Sequence, residues 1–213
     1  MKISVSVLNL DFAHLEDSIR KFEAAGVDSL HMDIMDGSFV DNISFGPAIV
    51  KTIADITVLP VYSHLMIVKP EKYIKKFFEA GSQNVTVHIE TINKDNENIL
   101  DMDNVGLSLN PDIALAELDG YLNKISEVLI MSVYAGFGGQ QFIESSLDRI
   151  EKIKNKRERI GADYKIAVDG GVNPEVAARC AESGADEVIA GFYITSFDDP
   201  AGAVEKIRAA VPG

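Results

Sequence analysis

The sequence contains a single cysteine and no tryptophan among its 213 residues. One thiol can form neither an intrachain disulfide nor a thiolate metal cluster within one chain. Cys180 lies in the helical pattern PEVAARCAESG, which predicts a small buried side chain.

Long apolar runs are also missing. No stretch approaches the roughly 20 apolar residues that a membrane-spanning helix needs. The opening segment MKISVSVLNLDF alternates like a strand and lacks the apolar block and cleavage site of a signal peptide. We therefore expect a cytoplasmic protein with no membrane partner.

Basic residues are scarce, since 20 Lys and Arg stand against 33 Asp and Glu, for a formal charge of −13. Such a surface repels nucleic acid and anionic membranes, so neither is expected as a partner. A small anionic ligand remains possible if backbone N–H groups bind it.

The sequence does contain short aliphatic strands that alternate with amphipathic helix patterns. The eight predicted strands are residues 3–7, 29–35, 61–66, 84–89, 105–109, 127–133, 165–169 and 187–191. An open doubly wound sheet would also alternate, but eight units in 213 residues without an obvious edge strand favour closure. We predict an α/β fold, a (β/α)8 TIM barrel, with residues 1–213 as a single domain. One unit is short, because the segment between Glu90 and Val105 leaves room for little more than a two-turn helix.

The strand SLHMDIM places His31, Asp33 and Met35 on one face and apolar residues on the other. A hydrogen-bonded His and Asp in the core would explain this pattern, and so would a divalent metal site at the carboxyl end of a barrel strand. His64 and Asp169 stand near the ends of two other predicted strands, and Ser6 near the end of the first. Together His31, Asp33, His64 and Asp169 predict a site for one Zn, Fe, Mn or Co ion per chain.

The other two histidines are weaker candidates. His14 lies beside acidic residues in the first helix pattern and is expected to be solvated. His88 ends the fourth strand and could line the rim behind the ligands, so we leave it out of the predicted ligand set. Met35, Met66 and Met131 recur beside the ligands, either as plain packing or as an apolar cover over the metal.

Glycines follow the last three strands, in GFGGQ (136–140), DGG (169–171) and AG (190–191). In barrels the loops after strands seven and eight often hold a phosphate, because backbone N–H groups can approach it where no Cβ intervenes. The rim is therefore predicted to have a metal half and an anion half.

These residues lie in a series of motifs in which the chain resembles the ribulose-phosphate 3-epimerases from end to end. The motifs are SVLNLDF, HMDIMDGSFVDNISFGP, HLMI, GLSLNP, MSVYAGFGGQ, VDGGVN and SGADEVIAG. The resemblance implies an isomerase of the ribulose-phosphate-binding barrel type in the pentose phosphate pathway of carbohydrate metabolism. It would convert D-ribulose 5-phosphate to D-xylulose 5-phosphate, without an organic cofactor and as a homo-oligomer.

The resemblance also assigns roles to individual residues. It implies that Asp33 and Asp169 are the catalytic acid and base, acting through a metal-stabilised enediolate, and that His31, Asp33, His64 and Asp169 bind the metal. The implied substrate-binding residues are Ser6, His64, Gly136, Phe137, Gly138, Gly139, Gly170, Gly171, Gly191 and Phe192. Inversion at a carbon beside a ketone suits this pair, because one carboxylate removes a proton and the other returns it on the opposite face.

The chain departs from the usual family pattern at Asn9 and Leu10, at Tyr134 and Ala135, in its short fourth helix, and at Phe192, where a serine is usual. Three alternatives follow. The substrate could be a ketohexose phosphate such as allulose 6-phosphate, to whose epimerases HIETIN and RERIGADYKI are similar. The chain could instead be a catalytically silent sugar-phosphate binder. A decarboxylase or aldol-type synthase barrel is disfavoured, because the sequence has no Asp-x-Lys-x-x-Asp cluster.

Overall fold

Eight parallel strands close into a barrel in chain order, with β1 paired to both β2 and β8, in a computed structural model that describes residues 1–211. The strands are β1 (Lys2–Ser6), β2 (Ser29–Met35), β3 (Val61–Met66), β4 (Asn84–His88), β5 (Val105–Leu109), β6 (Glu127–Met131), β7 (Lys165–Asp169) and β8 (Glu187–Ile189). The predicted barrel is therefore confirmed, and four of its strands have the predicted bounds.

Seven α-helices pack around the strands: α1 (Leu15–Ala25), α2 (Pro47–Ile56), α3 (Ile74–Glu79), α4 (Ser146–Ile160), α5 (Pro174–Ser183), α6 (Gly191–Thr195) and α7 (Pro200–Ala210). Left-handed glycines end three of them, among them Gly26 after α1, with φ of 73°, and Gly161 after α4, with φ of 64°. These caps let the chain turn directly into the next strand. Within residues 1–211, every helix is too short or too polar to cross a bilayer.

The fourth and fifth units contain short 3-10 turns instead of α-helices. The segment after β4 forms 3-10 turns at Ile89–Thr91 and Glu97–Asp101, and the segment after β5 forms one at Leu115–Leu118. The irregularity expected between Glu90 and Val105 is thus present, but not as a two-turn α-helix. Asp and Asn are frequent in this segment, and their side chains compete with helical backbone hydrogen bonds.

Four predicted strands end earlier than expected, β1 and β4 by one residue and β6 and β8 by two. β6 was predicted to reach residue 133 but ends at Met131, where the N–H and hydroxyl of Ser132 both donate to Asp169 O at 2.8 Å. β8 ends at Ile189, because the chain enters α6 at Gly191. The changes in β6 and β8 lie at the carboxyl-terminal rim, and they place the glycine loops directly beside the strand ends.

The apolar core surrounds the barrel. Leu30, Met32 and Ile34 of β2 are buried in the layer between strands and helices, as is Cys180 of α5, which has no exposed surface. A smaller cluster inside the barrel includes Leu129, Met131 and Ile189. The barrel interior is therefore packed below the rim.

Candidate active site

Strand register brings the polar residues of the rim together. Ser6 is paired with His31, Asp33 with His64, and Met131 with Asp169. His31, Asp33 and His64 are buried, and Asp169 is partly buried. One ligand atom from each of His31, Asp33, His64 and Asp169 lies within 4.8 Å of the other three, an arrangement that could hold a metal ion.

Distances inside this cluster fit a metal centre. His31 Nε2 and His64 Nδ1 each lie 3.3 Å from Asp33 Oδ1, and they lie 3.8 and 3.9 Å from Asp169 Oδ2. Metal–ligand bonds of about 2.0–2.2 Å at tetrahedral angles separate ligand atoms by roughly 3.3–3.6 Å. His31 Nε2 is also buried with no hydrogen-bond partner among the described residues, which a core imidazole ordinarily would have. The residues present therefore fit a divalent cation.

The same proximity perturbs all four ionisable groups. Burial would lower the pKa of His31, but the negative charge of Asp33, with that of Asp169 in addition, raises it to about 9. Burial lowers the pKa of His64 to about 4, although Asp33 opposes the change. Burial and the charge of Asp33 raise the pKa of Asp169 to about 7. The pKa of Asp33 is lowered, because His31 and His64 outweigh its burial.

A divalent cation would change this balance, because it needs the lone pairs of neutral imidazoles and ionised carboxylates. Ser6 already favours an ionised Asp33, since its hydroxyl donates to Asp33 Oδ2 at 2.5 Å. Asp33 Oδ1 then remains directed at the two histidines.

A cavity of about 270 Å³ opens above the cluster and fits a small ligand. Ser6, Asp33 and Asp169 line its floor, and Met35, Met66 and Met131 line its apolar side. The predicted substrate-binding residues Gly136, Phe137, Gly138, Gly139, Gly170, Gly171, Gly191 and Phe192 all line it as well. His64 has no exposed surface and does not line the cavity, so its predicted substrate contact stays a prediction.

The glycine loops approach the cavity closely. Gly170 has φ of 121°, and a Cβ there would lie 2.5 Å from Val133 Cγ2, while a Cβ at Gly171 would collide with the backbone N of Phe142. Within residues 1–211, the N–H groups of Gly138, Gly139, Gly170 and Gly171 donate no backbone hydrogen bond. Such N–H groups are suitable donors to an anion.

Four residues that depart from the family pattern line this cavity, namely Asn9, Tyr134, Ala135 and Phe192. The ring of Phe192 is 61% exposed and lies 3.6 Å from where a Cβ of Gly139 would be. The amide of Asn9 packs against Gly138 from the other side. Phe192 thus neither turns away from the cavity nor fills it, but lies over the glycine loop at its edge.

His88 contacts His64 on the side of the ring that faces away from Asp33. Its Nε2 lies 3.0 Å from His64 Nε2, and the side chain is fully buried. Ser108 and Glu90, which the sequence analysis did not single out, lie beside the two histidines. The sequence signal was the alternation in VTVHIE, which places Thr86 and His88 on one face. In the structure His64 is paired with Thr86, so His88 is the diagonal neighbour of His64.

Comparison with solved structures shows the fold. The structure of 3-hexulose-6-phosphate synthase from Salmonella typhimurium superposes with a TM-score of 0.71 at 20% identity, covering 99% of this chain and 98% of that one. A 3-hexulose-6-phosphate synthase structure covering 100% of both chains gives a TM-score of 0.69 at 18% identity.

Sequence comparison gives the family. The ribulose-phosphate 3-epimerase of Bacillus subtilis (strain 168) is 38% identical over 213 residues, covering 98% of each chain. That of Methanocaldococcus jannaschii is 39% identical over 214 residues, covering 99% of this chain and 91% of the relative. The family model described as "Ribulose-phosphate 3 epimerase family" matches residues 2–195 of this chain. The motifs, the barrel and the His–Asp cluster agree with these matches, and the chain belongs to the ribulose-phosphate 3 epimerase family.

Proposed function

We propose that this protein interconverts D-ribulose 5-phosphate and D-xylulose 5-phosphate by inverting C3. The observation that carries the proposal is a pair of carboxylates, Asp33 and Asp169, at the floor of a cavity whose other wall consists of glycine loops with free N–H groups. The pair suits a proton transfer, and the loops suit a phosphate. Membership of the family, whose named relatives carry this activity, supports the same substrate.

In the proposed reaction Asp33 and Asp169 work on opposite faces of the substrate. One carboxylate removes the C3 proton beside the ketone, which leaves a planar enediolate. The other returns a proton to the opposite face, so the configuration at C3 inverts. Ser6 positions Asp33 for this task through its hydrogen bond at 2.5 Å.

We propose that His31, Asp33, His64 and Asp169 hold one divalent metal, namely Zn, Fe, Mn or Co, and that no organic cofactor is needed. Such a metal would supply Lewis acidity toward the ketone and hydroxyl oxygens of the sugar. Buried carboxylate and imidazole groups provide the hard and borderline ligands that these ions accept.

The phosphate would be bound by backbone N–H groups of Gly138, Gly139, Gly170 and Gly171, with Gly191 and Phe192 completing the wall. The remaining predicted residues of this wall, Gly136 and Phe137, lie in the loop after β6. Binding the phosphate far from C3 fixes the position of the sugar over the two carboxylates.

Proton NMR in deuterated water tests the proposal. Purified enzyme is incubated with ribulose 5-phosphate, and the spectra follow exchange at C3 and the appearance of xylulose 5-phosphate. A parallel sample with allulose 6-phosphate tests the ketohexose alternative. Turnover of the ketohexose phosphate alone would reassign the substrate. Thermal stabilisation by both sugars without turnover, in metal-loaded protein, would mean a silent binder.

We also propose that the protein is cytoplasmic and forms a homo-oligomer. Support for association comes from exposed apolar side chains, including Ile43 at 76% and Phe137 at 58%. Light scattering coupled to size-exclusion chromatography measures the mass, and a mass of one chain would contradict the oligomer.

A further inference from the structure

His64 contacts other side chains through both of its ring nitrogens. Nδ1 faces Asp33 Oδ1 at 3.3 Å and Asp169 Oδ2 at 3.9 Å, inside the metal-ligand cluster. Nε2 points away from the cluster, 3.0 Å from Nε2 of His88 and 3.2 Å from Ser108 Oγ. His31 uses the opposite nitrogen, since its Nε2 faces the same two carboxylates. The tautomer that each histidine needs as a ligand is therefore different.

A metal-binding nitrogen must present a lone pair, so neutral His64 has to carry its proton on Nε2. That proton needs an acceptor, because His64 is completely buried. His88 Nε2 can accept it only if His88 carries its own proton on Nδ1. The hydroxyl of Ser108 can either donate or accept, so Ser108 does not select a tautomer.

Glu90 decides the tautomer of His88. Its carboxylate oxygens lie 3.3 and 3.4 Å from His88 Nδ1, and an ionised carboxylate only accepts hydrogen bonds. A proton on His88 Nε2 would leave the lone pair of His88 Nδ1 facing the Glu90 oxygens. It would also direct the Nε2–H groups of His64 and His88 at each other. With His88 protonated on Nδ1, every nitrogen along the path from Glu90 to the cluster has a suitable partner.

Further contacts fix Glu90, which lies at the end of this hydrogen-bonded series away from the metal-ligand cluster. Asn110 Nδ2 donates to Glu90 Oε1 at 2.9 Å, and Asn110 O accepts from the Arg149 guanidinium at 3.2 Å. The ring of Phe39 packs on His88 with 4.5 Å between centroids. Glu90 and His88 are therefore held in one orientation toward His64.

From this geometry we infer that Glu90 and His88 are positioning residues that hold His64 in the tautomer and orientation for binding the metal through Nδ1. The inference rests on the metal site proposed above. Partners behind a ligating histidine commonly change metal affinity by about 10- to 100-fold. Loss of His88 as an acceptor should therefore speed metal release by a factor in that range.

Zinc release from the full-length protein into a chromophoric chelator tests the inference. The variants are His88→Leu, which removes the acceptor, and His88→Gln, whose amide oxygen can reach the position of Nε2 and accept. Glu90→Gln removes the group that selects the tautomer. His14→Leu is the matched control, because the His14 side chain is 68% exposed and its ionic contact is with Asp11.

We expect release about 10- to 100-fold faster in His88→Leu, a clear but smaller increase in Glu90→Gln, and near-wild-type release in His88→Gln and His14→Leu. A folded His88→Leu protein with wild-type release would overturn the inference, as would His88→Gln releasing zinc as fast as His88→Leu. If His88→Leu fails to fold, Glu90→Gln decides, and unchanged release there overturns the inference.

Cobalt-loaded protein supplies a spectroscopic readout. In the wild type, the exchangeable N–H of His64 should give a hyperfine-shifted proton resonance that exchanges slowly with solvent, and His88→Leu should broaden or remove it. The same signal in both proteins would contradict the role of His88. Wild-type protein that binds none of Zn, Fe, Mn and Co would end both this inference and the proposed metal site. A zinc-loaded wild type without epimerase activity would contradict the proposed function alone.

Discussion

Replacing one carboxylate at a time separates the two halves of the proposed proton transfer. In Asp169→Asn, Asp33 can still remove and return a proton on its own face. The ketose whose C3 hydrogen faces Asp33 should therefore exchange that hydrogen with solvent without inverting. Its epimer carries the hydrogen on the other face and should not exchange. Asp33→Asn should show the reverse pattern, in which the other epimer exchanges.

The structure sets the expected sizes of the two effects. Loss of a positioned acid or base costs about 10²- to 10⁴-fold in rate, which corresponds to roughly 3 to 5 kcal/mol in the activation free energy of the reaction. Asp33 lies 3.3 Å from both histidines, whereas Asp169 lies 3.8 and 3.9 Å away. Asp33 also accepts the Ser6 hydroxyl. Asp33→Asn should therefore lose more metal and more activity than Asp169→Asn.

The assay is proton NMR at C3 of each pure epimer in deuterated water, with metal content measured on the same samples. Asp41→Asn is the control, because it changes an exposed carboxylate in the loop after β2. If metal-loaded Asp169→Asn exchanged both epimers, or inverted either at the wild-type rate, the two-carboxylate mechanism would be wrong.

Three further predictions concern metal content, phosphate binding and pH. The wild type should carry about one divalent metal per chain, and a His31→Ala, His64→Ala double variant that kept full occupancy would refute the site. Phe192→Ser adds a donor and should lower KM for the phosphorylated sugar about 10- to 150-fold (roughly 1.5–3 kcal/mol) with little change in kcat; an unchanged KM would contradict the phosphate placement. Hydrogen bonds led by the Val58 N–H lower the pKa of Glu23 to about 2, so its stabilisation is complete above about pH 4.5 and lost toward pH 2. Denaturant unfolding should lose about 1–2 kcal/mol over that interval after allowance for solvent screening, and Glu23→Gln should flatten the loss.

The barrel could be predicted because parallel strands buried on both faces leave a strong local pattern. β2, β3, β5 and β7 have the predicted bounds, and each is a short, mostly buried run between turn residues. The segments after β4 and β5 were harder, since a 3-10 turn and a short helix have similar sequences. Strand ends at the rim also depend on contacts from other strands, such as those that Ser132 makes to the residue at the end of β7.

The ligand cluster was predictable for a related reason. Alternation within one strand puts His31 and Asp33 on the same face, and parallel strands of a barrel end at one rim. The role of His88 was not predictable in the same way. Its contact with His64 depends on the stagger between β3 and β4, where His64 is opposite Thr86 rather than His88. Sequence alternation gives the face of a residue but not its neighbour on the next strand.

The acidic character of the chain agrees with a proposed phosphate site that is built from backbone N–H groups. With a formal charge of −13, the protein offers a phosphate little long-range attraction, and among the described residues no Lys or Arg lines the cavity. Neutral N–H groups can bind the phosphate only at hydrogen-bond distance, so the chain must approach it without side chains in between. At positions 170 and 171 a Cβ would also collide with Val133 or Phe142, so packing within the protein itself requires glycine there. At the cavity floor, a lysine close enough to pair with Asp33 or Asp169 would compete with both the proposed metal and the proposed proton transfer.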